Sequence, residues 1–202
     1  MRKNLEELLK IAKLADDANR PAEVVEVLKV AASCAHLTSV SVRLRFAENL
    51  RIIGRLTEAE GVLSSITDIS KEKEWLLNIH KGQIYIDRKD FQAAVQCFTQ
   101  AVEKNPKSTV PFIYLANAYI SSQQQGKAVD VLLRGLQAQG DLDEVYLNLG
   151  YCYRTIGEYL LAKESFLKAL EVDGSCQEAV DALSDVNSVV RFFQEIEPDT
   201  SR

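Results

Sequence analysis

The stretch KGQIYIDRKDFQAAVQCFTQAVEKNP, residues 81–106, recurs in outline twice more along the chain, each time 34 residues later. Each recurring position keeps a small residue, a large apolar or aromatic residue, or a helix-ending residue. The six columns are Gly82, Ala116 and Gly150; Tyr85, Tyr119 and Tyr153; Ala94, Ala128 and Ala162; Phe98, Leu132 and Phe166; Ala101, Gly135 and Ala169; and Pro106, Gly140 and Gly174. This register defines three repeats, at 75–108, 109–142 and 143–176. A period of this length indicates a repeat architecture in which each unit packs on its neighbours.

Two weaker units precede these repeats. The unit at 40–74 keeps the small and apolar positions but has one extra residue before the next unit, and the unit at 5–38 keeps only the apolar spacing. After the last repeat, an apolar stripe at helical spacing predicts a capping helix over 176–195, with one face on the array and one towards water. The remaining residues, 197–202, are predicted to form a flexible tail.

Apolar periodicity predicts two helices in every unit. Thr57 followed by Glu60 has the spacing of a capping box and predicts the start of one of them. The predicted helix pairs are 4–18 and 21–35, 40–53 and 57–67, 75–88 and 91–104, 109–122 and 125–138, and 143–156 and 159–172.

The repeat resembles the tetratricopeptide repeat, whose pattern is small at position 8, Tyr at 11, Ala at 20, Phe at 24, Ala at 27 and Pro at 32. The resemblance implies an all-α fold, a right-handed superhelical solenoid of five helix pairs with a capping helix, forming a single domain over residues 1–196. It also implies a non-catalytic protein–protein interaction module or adaptor. Such a module binds an extended peptide or a helical segment of a partner in a concave groove formed by the first helix of each pair.

Positions 5, 6 and 9 of the first helices supply most of the groove residues that the resemblance implies. Position 5 is apolar in all five units, and positions 6 and 9 of the three clear repeats carry hydrogen-bonding side chains. Amide side chains can both donate to and accept from a peptide backbone, which suits an extended ligand. The candidate residues are Ile79, His80, Gln83, Ile113, Tyr114, Asn117, Leu147, Asn148, Tyr151 and Arg154.

The same alignment tests one known binding mode of the family. Tetratricopeptide domains that hold the carboxylate end of chaperones use Lys, Asn, Asn, Lys and Arg at five defined positions. This sequence has Ile79, Gln83, Tyr114, Glu144 and Asn148 at the matching positions. The charged positions of the carboxylate clamp are missing, so recognition of a chaperone tail in that way is not expected.

Composition narrows the function further. The net charge is −5, and a general nucleic-acid binder needs a basic surface, so no nucleic-acid partner is expected. No apolar stretch reaches the roughly 20 residues of a membrane span, and the acidic, amphipathic start favours a cytoplasmic location. The four cysteines lack metal-ligand and disulfide-framework spacing, so we expect no metal and no cofactor. Phosphate-binding glycine loops, HExxH and GxSxG are absent, and no enzyme is expected.

Groove-facing basic residues gather towards the N-terminal half: Lys10, Lys13, Arg45 and Arg51. They would favour an acidic ligand segment there, although solvated surface charge is the simpler interpretation.

Two alternative functions remain open at this stage. One is an acidic chaperone for a secreted or assembly client, for which size and charge fit but five units are more than the usual three. The other is a structural subunit that self-associates in a larger complex, through an outer face or through the last helix near Phe192. The sequence does not determine the oligomeric state or the identity of the partner.

Overall fold

The computed structural model describes residues 2–34 and 39–196, and the side chains of residues 5–32 and 39–193. This described part is helical, with one 3-10 turn at Lys71–Lys73. Each predicted helix is present, and the bounds agree to within three residues, so the predicted all-α fold of paired helices is confirmed. The helices are α1 (Arg2–Asp17), α2 (Pro21–Cys34), α3 (Val40–Ile52), α4 (Leu56–Ser64), α5 (Glu74–Asp87), α6 (Phe91–Lys104), α7 (Thr109–Ser121), α8 (Gln125–Gly135), α9 (Leu142–Thr155), α10 (Tyr159–Val172) and α11 (Gln177–Ile196).

One backbone turn recurs between the two helices of every pair. The second residue after the first helix has a positive φ of 52° to 87°, and the next amide donates to a carbonyl five residues earlier, as in Arg20 to Ala15 and Glu158 to Tyr153. This is the Schellman ending of a helix, which reverses the chain with its carbonyls satisfied. The turn residues are Asn19, Gly54, Lys89, Gln123 and Gly157. Their spacing of 34 or 35 residues gives the weak first two units the same register as the clear ones.

The chain forms two compact units, Met1–Cys97 (unit 1) and Phe98–Arg202 (unit 2). Unit 1 is built on apolar contacts among α1 to α5, with Val24, Val25, Leu28, Leu50 and Leu63 almost completely buried. Burial of such side chains is the main favourable contribution to folding. The predicted capping box is wrong: α4 begins at Leu56, so Thr57 lies inside the helix, and Glu60 pairs instead with Arg88.

Unit 2 shows why three columns of the repeat are small or large. Gly150 of α9 lies so close to α10 that an added Cβ would stand 2.4 Å from the ring of Phe166, which is completely buried. A Cβ added at Gly135, at the end of α8, would similarly stand 3.0 Å from the Cβ of Phe112. Small residues at these two positions therefore allow the neighbouring helices to approach closely.

The connection after α8 fixes the starts of α7 and α9 relative to each other. The α8 helix ends at Gly135, three residues before its predicted end, and Gln139 then forms a short parallel bridge with Ser108. The Gln139 carbonyl accepts from the Thr109 amide at 3.0 Å, and the buried Thr109 hydroxyl accepts from the Asp141 amide at 3.1 Å. Gly140 has φ of 127° and lies against this hydroxyl, where a side chain would collide.

Candidate functional site

Helices α7 and α9 lie side by side in unit 2 and form a groove of about 350 Å³. Val110, Ile113, Tyr114 and Asn117 of α7 and Glu144 of α9 line it, and we call this the unit 2 groove. Its volume lies at the lower end of the roughly 300–1,000 Å³ typical of ligand sites, enough for one or two side chains of a peptide.

The α7 side of the groove contains three of the candidate residues. Ile113 is 5% exposed and contributes an apolar floor, whereas Asn117 is exposed. The ring of Tyr114 stacks on Phe98, with ring centroids 5.5 Å apart, so its orientation is fixed by packing beneath it. One helix face therefore presents an apolar, an aromatic and an amide group together.

The four α9 candidates contact residues outside the groove and do not line it. Leu147 is only 8% exposed, and the Asn148 side chain donates to the carbonyl of Glu144 at 2.9 Å. Tyr151 meets Phe166 edge-on at 5.3 Å, and Arg154 lies over the Tyr151 ring at 5.1 Å and 3.7 Å from Asp185. These four residues thus form a packed surface of α9.

Two lining residues, Val110 and Glu144, were not among the candidates from the sequence. Both occupy the second position of their repeats, which the tetratricopeptide resemblance also implies faces the concave side. Burial raises the pKa of Glu144 above its usual value, and the neighbouring carboxylates of Asp141, Asp143 and Glu178 raise it further. Glu144 is therefore the electrostatically distinctive member of the groove.

The unit 1 candidates lie on α5, where His80 joins a network of charged side chains between α3 and α5. Ile79 is 4% exposed, and the His80 Nδ1 lies 3.3 Å from Glu48. Arg51 joins the two helices because it donates to Glu48 at 2.8 Å and to Asp87 at 2.8 Å. Burial alone would raise the pKa of Glu48, but the hydrogen bonds from His80 and Arg51 lower it to about 2. Gln83 is partly buried on the same helix.

Two of the four basic residues that would attract an acidic segment to the N-terminal half, Arg45 and Arg51, are already paired with carboxylates. Arg45 lies 3.7 Å from Asp16, and Arg51 is held by Glu48 and Asp87. Their charges are balanced by carboxylates of the chain itself. Lys10 and Lys13 are exposed.

Two of the described cysteines, Cys97 and Cys152, are poorly placed for thiolate chemistry. Cys152 is 1% exposed, and burial raises its pKa to about 11, so it is protonated at neutral pH. Burial also raises the pKa of Cys97. The side chain of Cys34 and all of His36 lie outside the described residues. Every helix in the described part of the chain is too short or too polar to cross a membrane.

Comparison with known proteins agrees with the repeat pattern and the helical fold. Two family models, both described as tetratricopeptide repeat, match residues 85–150 and 143–176. Residues 85–176 consist of repeats of the tetratricopeptide family. This identification rests on the sequence matches together with the helix pairs and turns described above.

Similar proteins share parts of the chain or its fold. Over 95 residues, 47% of this chain, it is 30% identical to the small glutamine-rich tetratricopeptide repeat-containing protein 2 of Mycosarcoma maydis, of which it covers 27%. A thermophilic tetratricopeptide protein of Thermus thermophilus has a TM-score of 0.70 at 14% identity, over 90% of this chain and 98% of that one. The chain spans about a quarter or less of the length of the curated relatives it matches.

A third similar structure contains a bound peptide. It is the second tetratricopeptide domain of human RPAP3 in complex with the HSP70 peptide SGPTIEEVD, with a TM-score of 0.54 at 17% identity, over 58% of this chain and 98% of that one. At this identity the likeness shows the fold alone.

Proposed function

We propose that the chain is a protein–protein interaction module that binds a segment of another protein in the unit 2 groove. The observation that carries this proposal is the groove itself, which brings an apolar floor, an aromatic ring, an exposed amide and a carboxylate within one concave surface. Sites for ligands are typically concave, mostly apolar and provided with a few polar groups that fix orientation.

Asn117 is the group in this groove best suited to a peptide backbone. It is exposed on the lining, and an amide can donate to a peptide carbonyl and accept from a peptide amide. Asn148 would extend this polar row along α9, with its carbonyl oxygen available beyond the bond its amide makes to Glu144. Arg154 remains a proposed contact within unit 2, and His80 and Gln83 remain proposed contacts of unit 1.

Binding should weaken when both amides are removed. We expect the Asn117→Ala, Asn148→Ala variant to bind its partner segment at least about tenfold more weakly, since each lost hydrogen bond contributes about 1 kcal/mol. The partner is first captured from a lysate of the source organism and identified by mass spectrometry. Its affinity for wild type and variant is then measured by calorimetry with purified proteins.

The control carries the same chemical change away from the groove, as Gln92→Ala with Gln96→Ala on the exposed face of α6. Tyr114 and Tyr151 are left intact because they pack on Phe98 and Phe166, and their loss would disturb the fold. A partner bound equally by wild type and both variants, with unchanged melting curves, would place the binding surface outside the groove.

Self-association is a second candidate, favoured by an exposed aromatic cluster. Phe192 and Phe193 of α11 are 58% and 51% exposed, and their rings lie 6.0 Å apart. Phe193 also meets Tyr159 of α10 at 5.9 Å, beside Leu160, which is 70% exposed. Contiguous exposed apolar surface of this kind is typical of interfaces.

The oligomeric state tests this candidate. If the cluster mediates self-association, wild type sediments as a dimer at micromolar concentration, and Phe192→Ser with Phe193→Ser shifts it to the monomer. Leu133→Ser, which changes an exposed leucine on α8, serves as the control. A wild type that stays monomeric up to about 100 μM, where even weak interfaces become populated, would remove the candidate.

A further inference from the structure

The charge around the unit 2 groove is one-sided. Glu144 lines the groove, and Asp141, Asp143 and Glu178 lie near enough to raise its pKa. Each described group that shifts this pKa raises it, so a nearby cation does not offset the repulsion. The arginine of α9, Arg154, is engaged by Asp185 and by the Tyr151 ring.

The helix start alone accounts for only part of this arrangement. Asp143 and Glu144 lie in the first turn of α9, where carboxylates interact favourably with the helix dipole. That interaction explains why acidic residues are accepted at this position. It leaves unexplained why Glu144, although exposed to water, also lines the groove together with the apolar Val110 and Ile113.

We infer that the segment bound in the unit 2 groove carries a lysine or arginine, whose cation pairs with Glu144 while its alkyl part packs on Val110 and Ile113. This inference rests on the proposed binding function and specifies its ligand. The floor suits the alkyl part of such a side chain, because long basic side chains place their stems on apolar surface and their charge on a polar rim. The half-buried ring of Tyr114 adds an aromatic face within reach of the same cation.

Other occupants fit the groove less well. An acidic side chain would meet Glu144 and the three carboxylates around it, and like charges at an interface disfavour binding. A purely apolar side chain would bury Glu144 further without a partner, which costs free energy or forces protonation. A cation removes both penalties, because it neutralises the one carboxylate that lies on the lining.

A display experiment with random twelve-residue peptides on phage tests the inference without a known partner. Selections are run in parallel on wild type, Glu144→Gln, the Asn117→Ala, Asn148→Ala variant, and Glu171→Gln. Glu171 is exposed on α10 and provides the same charge change away from the groove. Synthetic peptides from the enriched sequences are then measured by fluorescence anisotropy at low and high salt.

The expected result is enrichment of peptides with a lysine or arginine next to an apolar residue. Changing that basic residue to methionine should weaken binding about tenfold, and Glu144→Gln should weaken it similarly, while Glu171→Gln should not. Affinity should also fall as salt rises, since the ion pair is partly exposed.

Two other outcomes separate this inference from the proposed function. Peptides that need Asn117 and Asn148 but lack a basic residue, or bind Glu144→Gln unchanged, would overturn the cation and leave groove binding in place. Peptides that bind both the asparagine variant and Glu144→Gln as well as wild type, or no enrichment on wild type at all, would overturn both.

Discussion

Gly150→Ala lowers the free energy of unfolding of unit 2 by about 3 kcal/mol, at the upper end of what an added methyl group costs in a packed core. The new Cβ would stand 2.4 to 2.7 Å from three carbons of the Phe166 ring. That ring is completely buried and also meets Tyr151, so it has little room to move. The measurement is urea unfolding followed by circular dichroism at 222 nm, with the slope checked for a change in unfolding behaviour.

Two further variants show that the collision is the cause. Gly126→Ala adds the same methyl group to α8, where nothing lies within 4 Å, and should leave stability unchanged or raise it by up to about 1 kcal/mol. Phe166→Leu should cost less in the Gly150→Ala background than in wild type, because the smaller side chain makes room for the methyl group. If Gly150→Ala and Gly126→Ala had equal stabilities, the close contact between α9 and α10 would be refuted.

The close packing of neighbouring helices could be predicted from the sequence, because the small residues that allow it recur every 34 residues. Gly150, Ala116 and Gly82 share one column, and a position that must stay small in every unit indicates that a neighbouring helix passes there. The helix pairs were equally predictable, since apolar spacing and period agree. The register of the first unit needed the structure, because its turn residue is Asn19 and only the backbone shows that it matches Gly54 and Gly157.

The candidate site was predictable only in part, for a physical reason. Family geometry indicates which positions of α7 and α9 face the groove, but the same position can line the groove in one repeat and not in the next. Leu147 and Ile113 share position 5, yet only Ile113 lines the groove. Charge pairing is still less visible in the sequence: Glu48 and His80 are 32 residues apart, and Arg51 and Asp87 are 36 apart. Such contacts depend on side-chain orientations across two helices.

Arg51→Met destabilises unit 1 by about 2 to 3 kcal/mol at pH 7, because it leaves Glu48 and Asp87 without their shared cation. The Arg51 and Glu48 side chains are 20% and 25% exposed, so water compensates for only part of the loss. The single tryptophan of the chain, Trp75 in α5, reports the unfolding of this unit by its fluorescence in urea. Arg88→Met is the matched control: it removes one exposed pair with Glu60, and such pairs contribute about 0 to 1 kcal/mol.

The same network makes stability depend on pH in a defined direction. The folded pKa of Glu48 is about 2 and its usual value is 4.5, so its stabilisation is complete above pH 4.5 and is lost as the pH falls towards 2. Exposed carboxylates such as Asp68 also have lowered pKa values, so the pH dependence of wild-type stability does not isolate the contribution of Glu48. The contribution of Glu48 is isolated by the difference in free energy of unfolding between wild type and Glu48→Gln. This difference should be largest near neutral pH and shrink between pH 4.5 and pH 2. A difference that stayed constant across that range would show that Glu48 contributes packing rather than charge. The His80 and Arg51 contacts would then be a consequence of the fold and not a source of its stability.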